Sequence, residues 1–420
     1  MSATGVAAQD ALPSGPASTT SESPASRLAA LKREGITIRG HYDGEAARNL
    51  SGGGKATSRY AQQLDIGVDL DLQKLWQWQG QSFHFTVGDR RGRSLSADRT
   101  DNIFQIQQVY GLGQNTRIYE ISYEYKTPGQ HFDAKAGWLS TGADFGNSPL
   151  FCQFESLAFC GHPMLLSGNS GWANVPSARW GFRLRWYNPL VYGQVGAFTA
   201  NSTYSTRGNG LKMDLSGTTG VVFPMEVGYT PGYKPDGSAS GHYRVGGFLD
   251  TTNPNDVYLD RYGNPRAITG EPAGTHSYRW GYYIMADQVL WRSAALPDRS
   301  FTAFANYSVG DRASGKYRRY EELGVILQSP FASRPADNIA LGTARAVINP
   351  RMVAYQAQEA SMDDGLTAVQ SFEQMVELNY GIAVKPWLTV RPDVQYITRP
   401  GADRLRGDIW VFGIVVRASF

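Results

Sequence analysis

Arginines and carboxylates stand close together at several points of this 420-residue chain. Residues 89–93 place three arginines around a glycine, and Arg183 and Arg185 are two residues apart. An arginine offers a rigid fork of N–H donors, and a carboxylate accepts hydrogen bonds from neighbouring hydroxyl groups. These residue types suit reversible binding of a small polar solute. We name eight candidates for such contact: Arg90, Arg91, Arg93, Glu120, Arg183, Arg185, Arg244 and Asp393.

No motif in the chain points to catalysis or to a bound metal. The six histidines are scattered, and none has the HExxH spacing of a zinc site. Gly111-Leu112-Gly113 is too common a pattern, in a chain with 47 glycines, to indicate nucleotide binding. A serine or acidic nucleophile with a distant histidine partner stays open as an alternative. We therefore expect a protein without cofactor or metal that is not an enzyme.

Cys152 and Cys160 are the two cysteines of the chain. Neither belongs to a CxxC pair, and no cluster of histidines or further cysteines accompanies them. A disulfide closing a short loop suits an oxidising compartment such as the periplasm, whereas two free thiols are the alternative. We expect the disulfide.

Charge and hydropathy exclude two large classes of protein. Forty basic and 37 acidic residues give a net charge of +3, without a dominant basic cluster, so nucleic acid is not an expected partner. The mean hydropathy is −0.36, and no run approaches the roughly 18 to 20 apolar residues of a membrane helix. A β-barrel remains open, because its lipid face uses only every second residue.

A period of two residues dominates the chain. Between residues 63 and 72, apolar side chains at even positions alternate with polar, charged or glycine residues at odd positions. The alternation returns in 179–186, 242–249, 376–385 and 390–396. One such strand also fits a soluble sandwich. Its repetition, with aromatic residues near the strand ends, indicates a barrel with one face in lipid and the other in water.

The predicted fold is all-β, a transmembrane antiparallel β-barrel of the bacterial outer-membrane type. Seventeen segments have strand character, but a single-chain bacterial barrel has an even number of strands. We expect about 16 strands, with 103–110 the weakest candidate, around an aqueous lumen. The segments are 36–45, 59–73, 81–90, 103–110, 116–126, 130–140, 178–187, 189–200, 221–230, 240–250, 277–287, 300–308, 319–329, 339–349, 371–385, 387–397 and 408–420.

The start of the chain precedes the barrel domain, which we place at residues 26–420. Residues 1–25 are rich in Ala, Ser, Thr, Pro and Gly and have no signal-peptide pattern, so we expect a disordered lead-in to a mature or trimmed chain. Residues 26–34 predict a short helix that ends at Gly35.

The C-terminal segment is amphipathic and ends in an aromatic residue. Alternate positions from Trp410 onward are apolar, and the last of them is Phe420. A closing strand of this kind is what the barrel-assembly machinery of the outer membrane is expected to recognise. We therefore predict a location in the bacterial outer membrane, with lipids around the barrel and the assembly machinery as a partner.

Several short motifs are distributed along the chain. Pro386-Trp387-Leu388 and the segment 392–397, Pro-Asp-Val-Gln-Tyr-Ile, are fairly specific, and Ala136-Gly137-Trp138-Leu139 and the Cys152–Cys160 segment accompany them. Through these motifs the chain resembles the carbohydrate-selective porins of the OprB family over about residues 26–420. The resemblance implies a monomeric barrel of sixteen strands that admits glucose and other small sugars by facilitated diffusion. The segments 201–220 and 251–276 look like variable loops.

Two parts of the chain are candidates to narrow such a pore. Arg90, Arg91 and Arg93 are expected at a constriction, with a solvated loop tip as the alternative. The long segment 141–176 has enough apolar residues to fold inward, although an extracellular lid is the alternative. For each charged residue, the alternative to contact with a solute is a cross-strand ion pair on the barrel wall. The alternatives for the whole protein are a porin for another small solute such as an organic acid, or a barrel enzyme or adhesin.

Overall fold

The computed structural model describes residues 24–111, 114–129, 131–150, 152–160, 163–232, 239–363 and 367–419. Within them, sixteen strands form one closed antiparallel barrel in which each strand pairs with its neighbours and the first pairs with the last. The predicted barrel and its strand number are confirmed. Most of the expected lead-in, residues 1–23, and Phe420 lie outside the described residues.

The strands follow one another around the barrel in chain order. A separate pair, β10 (Asn255–Asp260) and β11 (Ala273–Thr275), forms a small two-stranded sheet outside it. The barrel strands are β1 (Ile36–Ser51), β2 (Ser58–Asp71), β3 (Gln81–Gly92), β4 (Thr116–Lys126), β5 (Phe132–Leu139), β6 (Arg179–Tyr187), β7 (Val191–Ala200), β8 (Gly220–Tyr229), β9 (Gly241–Asp250), β12 (Arg279–Arg292), β13 (Ser300–Gly310), β14 (Tyr317–Gln328), β15 (Asn338–Ile348), β16 (Phe372–Lys385), β17 (Leu388–Thr398) and β18 (Ile409–Ser419).

The helices are short and lie in the connections. The first confirms the predicted N-terminal helix, and no helix of the described residues is long and apolar enough to cross a membrane. The α-helices are α1 (Pro24–Glu34), α2 (Leu72–Trp76), α3 (Thr141–Asp144), α4 (Met164–Asn169), α5 (Arg266–Thr269) and α6 (Pro350–Met362). One π-helical turn (Ser96–Thr100) and three 3₁₀ turns (Ser202–Ser205, Arg207–Asn209 and Pro400–Ala402) complete them.

The two faces of each strand meet different surroundings. On β16, Glu377 is buried inside the barrel, while its neighbour Leu378 points outward and is 50% exposed. On β2, Leu64 points outward and is 46% exposed, whereas Gln63 is buried. Side chains alternate between the faces of a strand, so the apolar positions collect on the outside, where lipid covers them.

The two ends of the barrel differ in the length of their connections. At one end, segments 93–115, 140–178, 251–278 and 349–371 are long, whereas the opposite end has short turns such as 188–190. Barrels of this kind have long extracellular loops and short periplasmic turns. The long-loop end is therefore the extracellular end.

The segment 103–110, predicted as the weakest strand, is not a strand but part of a loop that enters the barrel. Phe104, Ile106 and Val109 are completely buried there. The backbone N–H of Phe104 donates to Glu373 (2.7 Å) and that of Val109 to Glu45 (3.0 Å). Since wall carboxylates satisfy its N–H groups, this apolar segment needs no neighbouring strand.

The interior of the barrel holds an apolar core made by two loops, 93–115 and 140–178. Phe104 meets Tyr320 of the wall with ring centroids 6.0 Å apart, and Phe154 meets Phe304 at 5.9 Å. Trp172 lies 6.4 Å from Tyr283. Aromatic residues of the loops thus pack on aromatic residues of the wall and fill part of the lumen.

Candidate functional site

Five carboxylates on the inner wall hold the two entering loops by their backbone. Each accepts at least one loop N–H at 2.6–3.0 Å, and each is almost fully buried. A carboxylate that accepts N–H groups of a buried loop keeps those donors satisfied. We call these residues the anchor carboxylates: Glu45, Glu226, Asp250, Glu373 and Glu377.

The tip of the loop 140–178 carries the disulfide between Cys152 and Cys160. The carbonyl of Cys152 accepts from Arg417 and, at 3.4 Å, from Arg391. Within the same loop, burial and the nearby carboxyl of Asp393 raise the pKa of Glu155 well above its ordinary value. The loop is thus attached to the wall by hydrogen bonds as well as by apolar packing.

Between the loops and the wall lies a cavity of about 990 Å³, which we call the outer cavity. Its lining combines arginines, neutral amides, the Asp43 carboxylate and the indole of Trp172. Arginine and amide N–H groups donate to hydroxyls, the carboxylate accepts from them, and an indole packs on apolar C–H faces. The polar members of this lining include His41, Asp43, Gln63, Arg90, Arg179, Arg279 and Arg417.

The arginines of the outer cavity differ in how they are compensated. Arg417 pairs with Asp43 at 2.6 Å, and Arg279 pairs with Asp250 at 2.9 Å. Arg90 donates to the neutral Gln63 at 2.8 Å, and Arg179 donates to Ser177 at 2.6 Å. Within the described part of the chain, neither Arg90 nor Arg179 has a carboxylate within 4 Å. The outer cavity therefore has an excess of positive charge.

A second cavity of about 360 Å³, the inner cavity, lies beside residues 143–149. Arg185 and Arg244 line it together with His242, Tyr192 and Glu226. Its cations have carboxylate partners: Arg185 pairs with Asp133 at 2.6 Å, and Asp287 lies 3.6 Å from Arg244 and 2.7 Å from His242. Asp144 and Glu226 add carboxylates to its lining, so the inner cavity has no excess of positive charge.

A family model matches most of this chain. The carbohydrate-selective porin model of the OprB family matches residues 55–420. The chain belongs to this family. The resemblance read from the sequence motifs is confirmed, and membership makes the chain a sugar porin of the bacterial outer membrane, as predicted.

Individual relatives agree with this assignment. Porin B of Pseudomonas aeruginosa is 35% identical over 405 residues, which are 93% of this chain and 88% of that protein. The putative porin QuiX of Acinetobacter baylyi is 26% identical over 410 residues, covering 93% and 90% of the two chains. The high-pH structure of Pseudomonas putida OprB superposes with a TM-score of 0.89 at 34% identity, covering 93% of this chain and 96% of that one.

Of the three clustered arginines of the porin, only Arg90 lines either of these two cavities. Arg90 lies opposite Gln63 on the inner face, whereas Arg91 lies opposite Gln62, which shares the outward face of β2 with Leu64. Arg93 is 69% exposed beyond the end of the strand and pairs with Asp98 at 2.8 Å. The expectation of three arginines at one constriction thus differs from the structure, because neighbours on a strand face opposite sides.

The other five predicted residues separate into three groups. Arg185 and Arg244 line the inner cavity. Arg183 is only 1% exposed and pairs with Glu124 and Asp133, and Glu120 pairs with Lys135 at 2.6 Å, so these charges form ion pairs along the wall. Asp393 is buried and accepts from Gln395 at 3.0 Å, lining neither of the two cavities.

The eight predicted residues omit several groups that line the outer cavity. Arg417 and Asp43 lie there as a pair, 2.6 Å apart and 374 residues apart in sequence. Their strand positions carry a signal, since Arg417 is on the face of β18 opposite to Trp410. Trp172 has no such signal, because it lies in a loop without a regular period.

Proposed function

We propose that small neutral sugars of the glucose type cross the outer membrane passively through the lumen of this porin and bind weakly in the outer cavity on the way. The observation that carries the proposal is a cavity of about 990 Å³ inside a closed barrel, lined by arginines, the Asp43 carboxylate and Trp172. Weak, multiple contacts of this kind allow release on the far side. Selection needs no chemical conversion, so we infer a channel without enzymatic activity.

A small organic acid is the second candidate solute. Arg90 and Arg179 have no carboxylate within 4 Å among the described residues, which favours a solute that brings its own negative charge. A transport measurement with each solute distinguishes the two candidates.

The test is conductance across a planar bilayer with the full chain reconstituted. Sugar added to one chamber should reduce the current in a saturable way, and an organic anion at the same concentration should reduce it less. Absence of an ohmic channel overturns the proposal. Stronger block by the anion supports the second solute instead.

A matched pair of variants tests the binding surface. Arg90→Ala removes a donor of the outer cavity, whereas Arg91→Ala removes the adjacent charge on the outward face. We expect the first to weaken sugar block by roughly fivefold, the equivalent of about 1 kcal/mol, and the second to leave it unchanged. Equal effects of the two variants would remove the outer cavity from the transport path.

We also infer two partners outside the lumen. Outward side chains such as Leu64 and Leu378 are about half exposed and suit contact with membrane lipids. The amphipathic C-terminal sequence, which ends in Phe420, suits recognition by the barrel-assembly machinery. Deletion of Phe420 is expected to lower the yield of folded barrel in the outer membrane, measured by its heat-modifiable electrophoretic mobility. An unchanged yield contradicts this role.

A further inference from the structure

The segment 142–149 lies between the outer and the inner cavity. Two of its residues, Ala143 and Asn147, line both cavities. Both are exposed, and the Asn147 side chain donates to the carbonyl of Ala143 at 3.2 Å. These two residues therefore mark where the cavities adjoin.

Buried aromatic contacts and hydrogen bonds to the barrel wall hold the segment 142–149 in place. Phe145 is completely buried, with ring centroids 6.4 Å from Trp172 and 6.1 Å from Phe198. The N–H of Gly146 donates to Glu226 at 2.8 Å, and the carbonyl of Asp144 accepts from Gln194 at 2.7 Å. Because both its apolar and its polar groups are fixed, the exposed Asn147 has a defined position in the lumen.

The cavities on the two sides of Asn147 differ in charge. The outer cavity has two arginines without a carboxylate partner in the described chain, whereas Arg185 and Arg244 of the inner cavity face Asp133 and Asp287. Asp144 and Glu226 also line this cavity of about 360 Å³, so it gives an anion no net attraction but still offers donors and acceptors. Its chemistry therefore suits a neutral polyol better than an acid.

We propose that the permeation path consists of two binding compartments in series, with Asn147 at the passage between them, and that the inner cavity is a second subsite for a neutral polyol. This inference rests on the proposed function, since it assumes that solute passes through the outer cavity. The outer cavity, with two arginines that have no carboxylate partner in the described chain, admits both neutral and anionic polar solutes. The inner cavity then favours neutral ones, because passage requires transient binding there as well.

The passage is tested by adding bulk at two asparagines. Asn147→Trp places an indole between the cavities, whereas Asn174→Trp places the same indole in the outer cavity alone. We expect the first variant to reduce single-channel conductance by about fivefold and the second to remain within about twofold of the parent. Equal conductance of Asn147→Trp and the parent overturns the passage.

The charge balance of the inner cavity is tested by two aspartates. Asp287→Asn leaves Arg244 and His242 without their carboxylate, whereas Asp89→Asn removes a carboxylate on the outward face. We expect Asp287→Asn to raise the permeability of an organic anion relative to sugar by about threefold or more, with no change for Asp89→Asn. An unchanged ratio in Asp287→Asn overturns the inner subsite.

Failure of this inference and failure of the proposed function give different results. A parent chain that conducts without any sugar block overturns the proposed function and the two compartments with it. A parent that shows sugar block, while Asn147→Trp and Asp287→Asn behave like it, overturns the two compartments alone. Barrel integrity of each variant is checked by heat-modifiable mobility, and Asn147→Ala, which removes bulk and should raise conductance, provides a second variant for the passage.

Discussion

Glu377 on β16 attaches the disulfide-bearing tip of the loop 140–178 to the barrel wall. It accepts the backbone N–H groups of Glu155 and Ser156, each at 2.9 Å, and the side-chain amide of Asn379 at 3.1 Å. Glu377→Ala leaves two buried N–H donors without an acceptor. At about 1–3 kcal/mol for each, attachment of the loop should weaken by about 2–6 kcal/mol.

The consequence is a larger population of detached loop. A loss of even about 2 kcal/mol in the free energy of attachment raises the population of detached loop by roughly 30-fold. Phe154 and Phe159 are buried in the attached state and become sites for chymotrypsin when the loop is free. The assay is the rate of cleavage after these two residues, measured by mass spectrometry under reducing conditions, because Cys152–Cys160 otherwise keeps the fragments together.

Two further variants make the result interpretable. Glu321→Ala removes a carboxylate from the outward face of β14, where it contacts Arg319 at 3.8 Å, and should leave the cleavage rate unchanged. Glu377→Gln retains one acceptor oxygen and should give an intermediate rate. If Glu377→Ala is cleaved no faster than Glu321→Ala, the wall carboxylate does not hold the loop.

Two other outcomes follow from the structure. In the extracellular loops, hydrogen bonds from the backbone N–H groups of residues 258 and 259 and from His276, together with the charge of Arg351, outweigh burial and lower the pKa of Asp256. Its contacts therefore stabilise the loop at neutral pH and are lost as pH falls through this lowered pKa. Hydrogen exchange across β10 should then show lost protection, and protection that is unchanged on acidification would contradict this role. On the lipid face, Leu378→Arg at the middle of β16 should destabilise the barrel by about 2–4 kcal/mol, measured by denaturant titration in vesicles. The control Leu405→Arg, at a loop position that is 93% exposed, should have no effect. Equal unfolding midpoints of the two variants would contradict the assignment of the outer face.

The alternation of side chains predicts most of the fold because it is local. On β16 it correctly predicts that Glu377 faces inward and Leu378 outward. The same rule is misleading at 103–110, where Phe104 and Ile106 have the two-residue spacing of a strand face but lie in a loop inside the lumen. Local pattern does not distinguish a strand from a buried loop when distant carboxylates satisfy the backbone.

The functional site is less accessible to sequence reasoning, because it depends on contacts between distant segments. Whether Glu377 meets a solute or a loop is decided by Ser156, which is 221 residues away in sequence. Arg90 and Arg91 look equivalent in sequence, yet strand geometry separates them to opposite faces. Residue type identifies groups able to bind a polyol, and tertiary structure decides which of them remain available.

The loop 93–115 has a consequence for how the barrel closes. The sheet is completed where β1 pairs with β18, the first strand with the last. From inside, this loop binds Glu45 on β1 and Glu373 on β16, and Gln395 of β17 reaches the carbonyl of Ile106 at 3.5 Å. It therefore acts as an internal brace that links β1, on one side of the seam, to β16 and β17 on the other.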